Sequence, residues 1–247
     1  MVKDLFSSQA ENYATYRPSY PKELFDHVLQ YVANNNTAWD CATGNGQAAL
    51  SIAPHFIKVF ATDISEKQIL HAKSHANLYY EVAAAEHTNF PESFFDLITV
   101  AQAYHWFRFE EFEKEVRRVA KKNAVIAVWG YNLFTTKDAA INSLIEKFYT
   151  GVVGPYWDAE RRYVDNNYSD VPFPFASLPT KDFFITAEWG KDDVAGYLSS
   201  WSSVQHFINA NKYNPIDEII NELDLLWQNI KPVSFPLFLK LGRVEKT

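Results

Sequence analysis

The sequence predicts an α/β fold built on a doubly wound, mostly parallel sheet. Two observations carry this. Short, nearly all-apolar segments such as "KVFATD" and "AVIAVWG" read as strands buried on both faces. Over the first 130 residues they alternate with helix-period segments, the pattern of successive βα units. Right-handed crossovers between parallel strands then place helices on both faces of the sheet.

The elements follow in order. "PKELFDHVLQYVA" sets Leu24, Phe25, Val28, Leu29 and Val32 on one helical stripe, with Pro21 just ahead of the helix. A strand over Ala38 to Ala42 leads through a glycine-containing turn into a helix over Gln47 to Ala53. "KVFATD" is the second strand, and Ser65 offers an N-cap to a helix over "EKQILHAKSHA". "LYYEVAA" and "FDLITVAQ" make the third and fourth strands, Phe109 to Lys122 a helix, and "AVIAVWG" the fifth strand. That last helix carries its glutamates early and its Arg and Lys late, which suits the helix dipole and reads as a solvated face. Past Gly130 the βα rhythm stops. Residues 131–182 are rich in proline and aromatics around one helix near Asp138 to Tyr149, the composition of a lid or insertion. "KDFFITAEWG" then reads as a strand, "DDVAGYLSSWSSVQHFINA" as one helix capped by Asp192, and "NPIDEIINELDLLWQNI" as another helix. The closing "FPLFLKLGRVEK" is a strand that would add an antiparallel edge with its late partner. The division is thus 1–130 as a ligand-binding core, 131–182 as a lid over the substrate site, and 183–247 as the remainder of the same sheet, one domain overall.

Composition narrows the function. With 247 residues, 47% of them apolar, the chain can bury a full core without staples. One cysteine, Cys41, leaves no internal disulfide framework and no cysteine-based zinc cluster, and no metal site is expected. No apolar run reaches the roughly 20 residues of a membrane span, and the first residues lack a secretion-signal core, so the expectation is a cytoplasmic protein without a membrane partner. A net charge of −7 argues against nucleic acid, whose affinity rests on clustered Lys and Arg. The partner expected instead is a small molecule.

In open α/β sheets ligands sit outside the carboxyl ends of the strands. After the first strand come Thr43, Gly44, Asn45 and Gly46, in a Gly-x-Gly-x-x-Ala run that lets backbone approach a ligand closely. The same run suits a dinucleotide or a plain tight turn. Asp63, ending the second strand, can accept both hydroxyls of a ribose, which again fits a dinucleotide. Asp40 inside the first strand is costly without a cation or several donors. An ammonium-bearing ligand would profit from it; a pyrophosphate would not.

With "DCATGNGQAAL", "ATDIS" and "FDLITVAQAYHWF" in view, the chain resembles the class I S-adenosylmethionine-dependent methyltransferases. The likeness begins at "YRPSYP", and "YLSSWSSVQHF" is similar to the corresponding segment of the subgroup containing yeast trans-aconitate methyltransferase. The resemblance implies a Rossmann-like sheet of seven strands with a reversed last strand, and S-adenosylmethionine as cofactor with S-adenosylhomocysteine as product. It implies that Asp40, Ala42, Thr43, Gly44 and Gly46 hold the methionine portion, Asp63 the ribose, and Ile64 the adenine. Ala85 and Glu86 would read the adenine edge, and Ala101 and Gln102 would line the sulfonium side. Two positions depart from the family pattern: Ala42 stands where the first glycine is usual, and Ala84 where a polar side chain often bonds the adenine amino group.

Four further groups complete the candidate site. Tyr16 and Arg17, in the segment that folds over the cofactor in the resembling family, would contact it, and Tyr13 and Trp106 would meet the substrate. His105, just after the fourth strand, is the candidate catalytic base for a hydroxyl acceptor. Arg17, Arg161 or Arg162 would position a carboxylate acceptor, for which no base is needed. The leading reading is methyl transfer to a small-molecule carboxylate or hydroxyl by in-line displacement. The alternatives are an NAD-dependent oxidoreductase and a non-catalytic S-adenosylmethionine-binding protein.

Overall fold

The computed structural model describes residues 16–246. In chain order they form α1 (Lys22–Leu29), β1 (Thr37–Cys41), α2 (Gln47–Ile52), β2 (Lys58–Asp63), α3 (Glu66–Leu70), β3 (Leu78–Val82), β4 (Phe95–Ala101), α4 (Phe109–Val119) and β5 (Ala120–Tyr131). There follow α5 (Ala139–Lys147), α6 (Arg161–Asp165), β6 (Ala176–Ser177), β7 (Phe183–Trp189), α7 (Lys191–Ser199), α8 (Ser202–Asn211), α9 (Ile216–Leu223) and β8 (Lys231–Arg243). One mixed sheet runs β3-β2-β1-β4-β5-β8-β6, with β7 also paired to β8. β1 to β5 are mutually parallel. β8 is the reversed strand, antiparallel to β5, β6 and β7. It lies between β5 and β7, so the late pair extends the sheet with the reversed strand inside rather than at the edge. The two-residue β6 is an eighth strand too short to show in the sequence pattern.

Strand alternation sorts side chains onto two faces. In β1 and β5, Ala38, Val125, Ala127 and Trp129 enter one apolar layer, completed by α1, α2, α5, α7, α8 and α9. Trp39, Cys41, Ile126 and Val128 enter the other, against Phe112 and Val116 of α4, Val164 of α6, and Tyr168. Trp39 and Trp129 are fully buried, each worth on the order of 1.5–3 kcal/mol of apolar burial. The segment 131–182 feeds both layers: Ile141 and Ile145 pack in the first, Val164 and Tyr168 in the second.

Several boundaries differ from the sequence expectation, α9 among them, which stops at Leu223 rather than running on to Ile230; four of the differences have a local reason. α3 stops at Leu70, which is 73% exposed and has no core to propagate the helix against. α4 ends at Val119 and the chain enters β5 without a loop, so Ala120 to Lys122 belong to a strand. The helix expected over 192–210 is two helices, broken where extended Trp201 turns its indole into the core. Its first half starts at Gly190, whose N–H donates to Asp193; Asp192 is not the cap. Ser65 does cap α3, accepting from Gln68 N–H at 3.3 Å.

The charged face of α4 is also more than solvated surface. Glu115 is buried and accepts from the Thr88 N–H (2.8 Å) and hydroxyl (2.6 Å) while pairing with Arg118. Arg118 in turn donates to the Thr88 and Phe90 carbonyls. These bonds hold the Glu115 carboxyl below its ordinary range, although burial opposes them. Together they fix the chain after β3 against α4.

Candidate functional site

β1 and β4 are adjacent in the sheet, yet β2 and β3 continue on one side and β5 on the other, so the strand order reverses between them. A cleft of about 800 Å³, including its mouth, opens at the carboxyl ends of these strands, as the topology demands. Its floor is Ala42 and Gly44 after β1, one wall is Asp63, Ile64 and Gln68, and the opposite wall is Ala101 to Ala103 after β4. Ala83 to Ala85 and Glu86 close it from β3, and Trp106 and Phe107 add aromatic surface.

The turn after β1 uses left-handed backbone at Ala42 (φ 53°), Gly44 (φ 57°) and Gly46 (φ 85°). Ala42 keeps the glycine-like conformation at a cost of about 1–2 kcal/mol. Two backbone N–H groups orient Asp63: Gly44 donates to Oδ2 and Ser65 to Oδ1, both at 2.8 Å. Gln102 is also left-handed (φ 55°), and its amide pairs with the backbone of Tyr131, accepting from N–H at 2.8 Å and donating to C=O at 3.2 Å. This bridge needs a bare Cα at Gly130, where a Cβ would come within 2.7 Å of Gln102 Oε1.

A second, smaller cavity of about 460 Å³, again including its mouth, adjoins the first, and Gln102 and Trp106 line both. Its other residues come from distant segments: Arg17, His105, Trp157, Asp158, Arg161 and Ser202. Arg17 donates to the Tyr131 hydroxyl at 3.0 Å and the Ser200 carbonyl at 3.2 Å, with its guanidinium over the Tyr197 ring. Arg161 Nε donates to Tyr149 Oη and Asp165 Oδ1, and its guanidinium stacks 4.8 Å from the Trp157 centroid. His105 is buried, its Nδ1 is 2.8 Å from Tyr168 Oη, and burial with the nearby Arg161 charge pushes its pKa down to about 3. The imidazole is therefore neutral throughout the physiological range.

The sequence-derived residues divide clearly. Ala42, Gly44, Asp63, Ile64, Ala85, Glu86, Ala101 and Gln102 line the larger cleft, and Trp106 borders both cavities. Glu86 also accepts from Arg108 N–H at 2.9 Å, so it anchors the start of α4. Six others stand elsewhere. Asp40 is fully buried beneath the cleft; the hydroxyls of Thr43 and Thr99 donate to its two oxygens, supplying the donors expected from a ligand. Thr43 is thereby buried with it. Gly46 lies under the Tyr80 ring, whose hydroxyl fills the space a Cβ would take. Tyr16 packs its ring into the notch left by Gly196 of α7, and Arg17 lines the second cavity rather than the first. Arg162 is exposed and donates to Tyr163, outside both cavities, because the short α6 turns it away from Arg161. Tyr13 lies outside the described residues.

The structure adds Gln68, Ala83, Ala103 and Phe107 to the larger cleft, and Ala84 lines it too. The run of three alanines after β3 was the available sign: tiny side chains at a strand's carboxyl end leave room. Nothing local in the sequence marks Trp157, Asp158 or Ser202. Among the described residues no cluster of His, Cys, Asp or Glu has metal-binding geometry, and no helix is long and apolar enough to cross a membrane.

Comparison with known proteins agrees with this geometry. A family described as "Methyltransferase domain" matches residues 39–128, the span from β1 into β5. A Dictyostelium discoideum protein named as a methyltransferase is 32% identical over 251 residues, covering 98% of this chain and 95% of its own. The methyltransferase cfoB of Aspergillus candidus is 25% identical, covering 91% and 79%. A solved structure from Anaeromyxobacter dehalogenans, described as a type II methyltransferase, superposes with a TM-score of 0.86 at 34% identity, covering 94% of this chain and all of its own.

Proposed function

The chain belongs to the class I methyltransferases, and on that premise we propose that it binds S-adenosylmethionine in the larger cleft and methylates a small-molecule acid in the smaller one. The observation that carries this reading is the shared wall: Gln102 and Trp106 line both cavities, so ligands in the two would meet there. The larger cleft suits an adenosine-bearing ligand. Asp63, oriented by two N–H bonds, is the acceptor for ribose hydroxyls, while Ile64 and the alanine wall offer apolar surface to a flat base. When bound, the cofactor supplies a methyl carbon already activated by a sulfonium.

The chain then has to align the acceptor and exclude water. Arg17 and Arg161 set two guanidiniums on the acceptor cavity, where they attract and orient a carboxylate. Transfer to that carboxylate would form an oxygen–carbon bond as the carbon–sulfur bond breaks, the electron pair passing to sulfur. The carboxylate becomes a neutral ester and no proton moves. A hydroxyl acceptor would need a base, and His105, with a pKa of about 3, is too weak to serve. The segment 131–182, which supplies Trp157, Asp158 and Arg161, acts as the cover over this cavity.

Incubating the protein with methyl-labelled S-adenosylmethionine and separate pools of carboxylic acids, alcohols and amines tests the proposal. The expected product is alkali-labile label in the acid pool. Arg161→Met and Arg17→Met should each lower kcat/KM for that acid at least tenfold, about 1.4 kcal/mol. Alkali-stable label, as in an ether or a methylamine, would refute the carboxylate reading.

A further inference from the structure

The turn after α6 carries two consecutive residues in left-handed backbone, Asn167 (φ 54°) and Tyr168 (φ 55°). Asparagine tolerates this conformation, but a bulky tyrosine there is a real outlier that surrounding contacts must impose. They do so here. Asn167 N–H donates to Val164 C=O at 2.9 Å, Tyr168 N–H to Tyr163 C=O at 2.7 Å, and Asn132 holds the Asn167 amide. The Tyr168 ring is fully buried between Phe238 and Tyr104, at centroid distances of 4.9 and 5.8 Å. Helix α6 and its turn are therefore one unit that presents Arg161 to the acceptor cavity and the Tyr168 hydroxyl to His105.

The direction of the 2.8 Å bond between Tyr168 Oη and His105 Nδ1 follows from what surrounds it. Among the described residues Tyr168 Oη makes no other hydrogen bond, and the charge close by is a cation, Arg161. A buried hydroxyl proton needs an acceptor, and among the described residues Nδ1 is the one in reach. His105 lines the acceptor cavity whereas Tyr168 does not, so the ring edge away from Nδ1 is the one turned to that cavity.

We propose that Tyr168 is a positioning residue whose hydroxyl donates to His105 Nδ1, fixing the imidazole as its Nε2–H tautomer. His105 then offers the acceptor cavity a hydrogen-bond donor beside the Arg17 and Arg161 guanidiniums, and it does not act as a base. Only this last step rests on the methyl-acceptor reading of the cavity. The tautomer itself is a property of the unliganded protein.

Nitrogen-15 NMR of the full chain labelled at histidine, with the His105 signals assigned by their loss in His105→Gln, tests the proposal without cofactor or acceptor. The expected wild-type spectrum at pH 7 has an unprotonated, pyridine-like Nδ1 and a protonated, pyrrole-like Nε2. In Tyr168→Phe the Nδ1 signal should move toward the protonated position as the second tautomer becomes populated. A tyrosine that served only as packing would leave the His105 signals unchanged in a folded Tyr168→Phe, and that result would overturn the proposal. A wild-type proton on Nδ1 would overturn it as well, so the wild-type spectrum decides even if the variant does not fold. Failure of labelled methyl transfer, with the tautomer as expected, would count against the functional reading and leave the tautomer assignment standing.

Discussion

Asp40→Asn melts at a higher temperature than the wild type at pH 8, and the difference shrinks as pH falls below 6, vanishing only below 3.8. Asp40 is fully buried in the central strand, and burial pushes its carboxyl up to about 6 from an ordinary 3.8, with the Asp63 charge adding to it. Bonds from Thr43, Thr99 and the Ala49 N–H oppose the shift without cancelling it. The gap between about 6 and 3.8 corresponds to at most about 3 kcal/mol of destabilisation when the group is ionised. Because the folded pKa lies above the unfolded one, the native state binds the proton more tightly. The cost is therefore present in full above about pH 6 and is relieved as pH falls from 6 toward 3.8. Asparagine keeps the shape and removes the charge. At roughly 2–4 °C per kcal/mol for a chain of this size, the shift is readily measured by calorimetry. A variant that melts lower than the wild type at pH 8 would mean that the ionised carboxylate is a net stabiliser.

Asp63→Ala lowers affinity for S-adenosylmethionine at least tenfold, about 1.4 kcal/mol. Two losses combine. The carboxylate that would accept ribose hydroxyls disappears, and the Gly44 N–H loses the partner that ties the turn after β1 to the end of β2. The Ser65 N–H loses its partner too. Each bond is worth about 0.5–1.5 kcal/mol, so a modest fall in stability should accompany the loss of affinity. Titration calorimetry on the folded variant separates the two effects. Unchanged affinity would remove Asp63 from the binding site.

Much of the sheet was legible because its signals are local. β2 runs over Lys58–Asp63 as "KVFATD" indicates, and Ser65 caps the next helix, since an apolar run and a capping hydroxyl act within a few residues. Helical periodicity could not show the break at Trp201, because the apolar stripe resumes at Val204 on the far side. The same limit applies at Ala120, where helix passes into strand with no intervening turn residue.

The candidate site was legible where it is built from strand ends, as at Gly44, Asp63 and Gln102. It was not legible where function depends on partners far along the chain. Asp40 read as a ligand-seeking carboxylate, but its donors include Thr99, 59 residues away. His105 read as a base, but burial and the charge of Arg161, 56 residues on, push its pKa down to about 3. The smaller cavity assembles Arg17, His105, Arg161 and Ser202 from four separate stretches, which only the folded chain brings together.

Calorimetric titration of the wild-type protein with S-adenosylmethionine, and separately with NAD, decides whether the larger cleft takes S-adenosylmethionine. Saturable one-to-one binding of S-adenosylmethionine is expected, with no heat beyond dilution from NAD. Saturable heat from NAD with none from S-adenosylmethionine would overturn the assignment.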